Sequence, residues 1–330
     1  MKLIISILMI LIFTTLMTVS KRVNSEPLIG TLIVVNKKAD TVNFIDLQSQ
    51  KIKYTRNTGK GPHEIAVNDN ATTAVVTNYN GGNSLTVFDI KTAKATNIIS
   101  LTKHPYPHGI LYLKGTNKVA VSAEGSNSVV IVDIDSGNIE KAINTHQKGS
   151  HMVALAHANN RVYTPNMHDD TVSEMDINSG KLLRTIATSE TPEAITINKS
   201  GTELWIGSNK DGLVTVFDLT TDNIIKQWRG FKFPYRILLT KDEKYAVIPD
   251  YKNNTLTIFD AVNKTQLHQI TFNNIGPKGV AFHPNDRTLF LSAYSKNKLL
   301  VIDIPSGKTL FELPTGNGPD GIGYSPIVLE

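Results

Sequence analysis

Short runs in which apolar and polar residues alternate recur along the chain, each ending on an acid: VNFIDL, LTVFDI, VVIVDI, VSEMDI, VTVFDL, LTIFDA and LLVIDI. Alternation with a period of two is the mark of a half-buried strand. The terminal acids, Asp46, Asp89, Asp133, Asp176, Asp218, Asp260 and Asp303, follow one another at 42 to 44 residues. A second series keeps phase with them: Pro62-His63, Pro107-His108, Ser150-His151, Pro192-Glu193, Pro234-Tyr235, Pro277-Lys278 and Pro319-Asp320. Seven marks in each series predict seven repeats. In the repeat that begins at Gly61, strand-like runs over 63–67, 73–78, 84–90 and 95–101 are separated by Gly, Asn, Asp and Ser. Four strands per unit of about 40 residues predict an all-β, seven-bladed β-propeller of four-stranded blades. No segment carries the 3.6 spacing of a helical repeat.

The two ends of the chain give an independent test, because a ring must close. The N-terminal part supplies three strands of its blade, around 31–36, 41–47 and 51–55, and the missing innermost strand is predicted at 320–324. A blade shared by both termini, with the C-terminal strand joining N-terminal strands, leaves no open sheet edge. The repeats fill a single domain over 26–330.

The first residues follow another rule. Lys2 precedes an apolar run from Leu3 to Val19, and Val23 and Ser25 suit the −3 and −1 positions of a cleavage site. Residues 1–25 therefore read as a signal peptide and Glu26 as the mature N-terminus. The protein is expected in the periplasm or outside the cell, or anchored in the membrane if the leader is not cut. Nothing after the leader has spanning length. The absence of cysteine removes disulfides, thiolate ligands and covalent haem or lipid attachment. The formal charge of +5 includes Lys2, Lys21 and Arg22. The weak balance left after removal of the leader gives no nucleic-acid or membrane footprint.

The blades resemble the YVTN-type propeller repeat, whose pattern runs PxGIAV, YVTN and then NTVxVID. GPHEIAVNDNATTAVVTNYNGGNSLTVFDI is the best match, with VVTN at 75–78, and ALAHANNRVYTPN at 154–166 is a weaker copy. The resemblance covers the mature chain almost end to end. It implies the fold and says little of activity, because similar propellers include lactone hydrolases, antibiotic lyases, surface-layer components and periplasmic binding proteins.

In a propeller of this topology the residues that open the innermost strands ring the mouth of the central channel, where sites usually lie. His63, His108, His151, Glu193, Tyr235, Lys278 and Asp320 should form that ring. His104, His146 and His168 fall in loops on the same face, near Glu64 and Glu124, whereas His157 and His283 follow the innermost strand and belong to the opposite face. Imidazoles from neighbouring blades with a carboxylate nearby suit zinc or copper, with His63, His108 and His151 as ligands and Glu193 as general base. The competing reading has each histidine bonded to loop carbonyls. Tyr235, Arg236, Lys278 and Asp320 form the facing arc, suited to an anionic ligand. Lys210, Lys252 and Lys296 on that face read as solvated surface, and Tyr79, Tyr106, Tyr251 and Tyr294 as a lining of the mouth. The repeated Asp is expected to accept turn hydrogen bonds, and Asn36, Asn78, Asn166 and Asn209 read as turn residues.

Three functions follow. The first is an exported, non-catalytic binding or scaffold protein whose top face takes a protein, a glycan or a small anionic ligand. The second is a metal-assisted hydrolase or lyase, similar in fold to propeller lactonases and streptogramin lyases, although their active-site sets are not matched residue by residue. The third is a redox-associated propeller whose cofactor histidine alone would hold.

Overall fold

The computed structural model describes residues 27–330, so the expected signal peptide lies outside the described residues. The described chain forms seven antiparallel four-stranded sheets. The sheet of the first blade runs Pro319–Ser325, Thr31–Asn36, Thr41–Asp46 and Lys51–Asn57, so the C-terminal strand does close the N-terminal blade. It pairs Leu32 with Tyr324 and Val34 with Ile322. In the second blade the strands are Pro62–Val67, Thr73–Asn78, Ser84–Asp89 and Lys94–Ser100, within one or two residues of expectation. No described helix is long and apolar enough to cross a membrane.

Burial follows position in the blade. The second strand Thr31–Asn36 is buried throughout, because neighbouring blades cover both its faces, whereas the outer strand Lys51–Asn57 alternates exposed and half-buried. Apolar side chains gather into seven clusters, each shared by two adjacent blades. One unites the first and last blades through Leu32, Ile45, Phe290, Leu299 and Ile322. The core is thus a ring of interfaces rather than one centre.

Turn chemistry explains the periodic polar residues. Each repeated Asp accepts a backbone N–H at the turn after the third strand, from Ser49, Thr92, Ser136, Ser179, Thr220, Asn263 and Ser306 in blade order. On the other face, the residue before every third strand is left-handed: Asp40, Asn83, Asn127, Asp170, Gly212, Asn254 and Asn297. All are Asn, Asp or Gly, the types that tolerate this backbone. Several of them also bind the next blade, as Asp40 Oδ1 accepts from Gly61 N (2.8 Å) and Asn297 Oδ1 from Gly318 N (3.0 Å).

Candidate functional site

Each innermost strand begins with an irregularity. The pairing register shifts between Pro62 and Ile65, Pro107 and Ile110, Pro192 and Ala194, and Pro277 and Val280. Such a bulge frees its residues from the ladder and re-aims their side chains. The freed residues include His63, His108, Glu193 and Lys278. Isolated bridges from Ser150 to Asn166 and from Pro234 to Asp250 bring His151 and Tyr235 to the same level. With Asp320, all seven predicted ring residues are buried, none more than 9% exposed. The backbones crowd here. A Cβ at Gly109 would lie 2.7 Å from Met152 Cα, and one at Gly321 would lie 2.8 Å from the His63 carbonyl oxygen.

The three histidines meet at the axis. Ring centroids are 3.9 Å apart for His63 and His108 and 3.6 Å for His108 and His151. Lys37 Nζ lies 2.7 Å from His63 Nε2, and Nδ1 faces the carboxylates of Glu64 and Asp320. Nδ1 is 3.0 Å from Asp320 Oδ2. His151 lies between two carboxylates, with Nδ1 3.2 Å from Glu124 Oε2 and Nε2 3.7 Å from Glu193 Oε1. His108 differs from both: its two ring nitrogens are buried without any hydrogen-bond partner. The expected bonds from these imidazoles to loop carbonyls are therefore not what holds His108.

Across the opening, Arg236 pairs with Glu64 and lies 4.0 Å from Glu193. Tyr235 OH donates to Asp320 (3.1 Å), and Lys278 Nζ is 3.5 Å from the same carboxylate. Lys278 also lies over the rings of Tyr294, Tyr235 and Tyr251, at 4.0, 4.6 and 5.2 Å from their centroids. Among the described residues, the donor atoms that come within 4.8 Å of one another in a group of three belong to His63, Glu64 and Asp320. This cluster could coordinate a metal ion. It keeps one of the three expected histidine ligands, His63, with Glu64 from the same strand and Asp320 from the facing arc.

The more distant candidates separate. His168 reaches the rim, 3.9 Å from Glu124 Oε1, while remaining mostly exposed. His104 turns to Ser126 (3.2 Å), and His146 stands exposed in its loop. Lys210 pairs with Glu190, Lys252 lies over Phe233, and Lys296 is exposed, in keeping with a solvated surface. Asn36, Asn78 and Asn166 bond polar groups of their own third strands. Asn209 departs from the turn role and donates to the Glu193 carboxylate.

A second tier was read in the sequence only in part, through Tyr79, Tyr251 and Tyr294 at the mouth and Glu124 near the histidines, while Lys37 went unread. The residue after each second strand is Lys37, Tyr79, Glu124, Met167, Asn209, Tyr251 or Tyr294. Six of these touch or cover ring residues: Lys37 on His63, Tyr79 edge-on to His63 and His108, Glu124 on His151, Asn209 on Glu193, and Tyr251 and Tyr294 on Lys278. Tyr79 supports the tier by donating to Glu124 (2.7 Å). The signal was available, since repeat register makes these positions equivalent, but Lys37 follows Asn36 in a segment with no histidine to draw notice.

Burial dominates the electrostatics. It lowers the pKa of His63 to about 3, against the raising effect of Asp320. Burial, followed by the neighbouring His151 and His63, pushes His108 well below its ordinary value. Burial would raise Asp320, but Lys278, His63 and Lys37 outweigh it and hold the carboxylate well below its usual range. Burial also raises Glu64, with Arg236 opposing. His63 and His108 are thus neutral in the folded protein and take a proton near pH 6.5 only after unfolding. Stability is complete above that value and is lost as pH falls toward 3; His63 alone accounts for about 2 kcal/mol by pH 5. Urea titrations with chelator present should show this loss between pH 7 and pH 5, and a flat or rising profile would contradict the neutral imidazole cluster.

No family model matches the chain. Antigen Lp49 of Leptospira interrogans is 23% identical over 257 residues, which cover 71% of this chain and 56% of that protein. The chain therefore spans little more than half the length of this relative. Hydrazine synthase of Kuenenia stuttgartiensis is similar in structure, with a TM-score of 0.71 at 16% identity, covering 81% of this chain and 90% of that one. At this identity the likeness speaks for the fold alone.

Proposed function

We propose that the protein is an exported propeller of the YVTN-repeat type that holds one zinc or copper ion at its axial opening. It carries out metal-assisted hydrolysis or elimination on a small substrate that enters through the tyrosine-lined mouth. The observation that carries this reading is His108, a buried imidazole with two unpartnered nitrogens packed between two other histidines. A buried polar group without a partner is costly, and a ligand that takes its lone pair removes the cost. The charge around it points the same way. Glu64, Glu124, Glu193 and Asp320 bring four carboxylates to the same opening, beside Lys37, Arg236 and Lys278.

His63, Glu64, Asp320 and His108 would hold the ion, which would supply Lewis acidity. Glu193, fixed by Asn209 beside His151, is the group suited to take a proton from a substrate or a water. Lys278 and Arg236 would orient an anionic substrate group.

One observation favours a second reading, a non-catalytic binding protein. Arg236 and Lys278 already neutralise the two carboxylates of the proposed ion site, so the arc is satisfied without a metal and could serve ligand capture alone. Calorimetric titration of chelated protein with zinc or copper separates the two. The metal reading expects one equivalent bound, loss of that binding in His108→Ala, and a fall of about 10²- to 10⁴-fold in ester or lactone turnover in Glu193→Gln with the metal retained. Protein that takes up no stoichiometric metal and turns over none of these substrates belongs to the binding class.

A further inference from the structure

The loops of the top face divide by charge. From residues 230–233, which enter the sixth blade, round through the seventh, first and second blades to residues 101–106, they carry seven lysines and one acid, Asp40. The top loops of the other three blades carry two lysines and five acids. Six of the seven, Lys38, Lys60, Lys103, Lys232, Lys252 and Lys296, are exposed. Among the described residues the lysines that pair with carboxylates are others.

Aromatic side chains follow the same division. Phe233, Tyr251, Tyr294, Tyr79 and Tyr106 interleave with these lysines, whereas the top loops of the other three blades contain no Phe, Tyr or Trp. Lys38 of the first blade lies over Tyr294 of the seventh, 4.6 Å from its centroid. Tyr106 is the telling member. The residue before the opening Pro or Ser of an innermost strand is a left-handed glycine in four blades, Gly61, Gly149, Gly276 and Gly318, and Thr191 shares that conformation. Tyr106 adopts it too, at φ 57°, although it disfavours a bulky side chain. Its ring lies against Gly125, where a Cβ would come within 2.8 Å of Tyr106 Cδ2, and 5.6 Å from the Tyr79 ring, yet stays 45% exposed. A strained backbone thus holds a large flat face at the edge of the lysine arc.

We propose that this arc binds an anionic polysaccharide, a chain of pyranose rings bearing carboxylate or sulfate groups, with one ring stacked on Tyr106. The lysines meet the charges, and the aromatic rings take the apolar C–H faces of the sugars. An acidic peptide would satisfy the lysines alone and leave the strained Tyr106 without a purpose. The surface stands outside the ring and requires neither a metal nor catalysis.

Calorimetry of the whole protein, with chelator present, against hexagalacturonate, a heparin hexasaccharide, neutral maltohexaose and hexaglutamate tests the proposal. At least one of the two anionic sugars should bind, and which of them binds tighter tells carboxylate from sulfate. Maltohexaose and hexaglutamate should bind at least about tenfold more weakly. Tyr106→Gly should weaken the anionic sugar about three- to tenfold while the melting temperature holds or rises, because glycine suits the left-handed backbone. Replacing Lys38, Lys252 and Lys296 together by Gln should weaken it about tenfold and flatten its dependence on salt. Failure of both anionic sugars to bind, a neutral sugar or hexaglutamate that binds as well, or a Tyr106→Gly protein that binds like the parent would each overturn the assignment.

Discussion

Removal of residues 319–330 should abolish cooperative unfolding. The deleted segment is the innermost strand of the first blade, Pro319–Ser325, together with a tail that latches onto the second blade. It buries Ile322 and Leu329, each stabilising by about 1.5–3 kcal/mol. It also supplies the ladder to Thr31–Asn36, at about 1 kcal/mol per bond. Loss of Asp320 strands Lys278 and the Tyr235 hydroxyl in a buried site. These losses together approach the entire stability of about 5–15 kcal/mol expected of a domain. A milder truncation gives the control. Deleting only residues 326–330 removes Leu329 from the interface of the first two blades and the bond from Glu330 N to the Lys91 carbonyl, but leaves the closing strand intact. That protein should fold and melt several degrees lower. If the longer truncation melts like the full chain, the shared blade is not what closes the ring.

Arg236→Met should cost about 3–5 kcal/mol, because it leaves Glu64 buried without its partner. The direction with pH identifies the cause. Without the guanidinium, the Glu64 carboxyl has a folded pKa above its unfolded value, so the variant binds an extra proton when folded and loses stability as pH rises through that interval. Its deficit relative to the parent should therefore grow between pH 5 and pH 8. Adding Glu64→Gln to Arg236→Met should recover most of the loss. Chemical denaturation across that range measures all three proteins, and a deficit independent of pH, or a double variant no better than the single, would mean that lost packing rather than an unpaired charge sets the cost.

Much of the architecture was legible because a propeller repeats one local problem. A turn that needs a left-handed residue selects Asn, Asp or Gly before every third strand, and a turn that needs an N–H acceptor selects Asp after it. The strand count, the shared blade and the ring positions from His63 to Asp320 all follow from that register. Position in the repeat also told which residues face the axis, since equivalent backbone positions in a closed ring must point alike.

What the register left open is which of those side chains satisfy one another. Arg236 meets Glu64 across 172 residues and Tyr235 meets Asp320 across 85, over distances set by the diameter of the closed ring. The metal-capable group His63, Glu64 and Asp320 exists for the same reason, as does the second tier that places Lys37 on His63. Local pattern encodes backbone direction and burial; partner choice and charge balance arise only when seven blades are brought round one axis. The sequence thus determined where chemistry could stand, and the tertiary structure decided which groups share it, because pairing depends on distances across the ring that no local pattern contains.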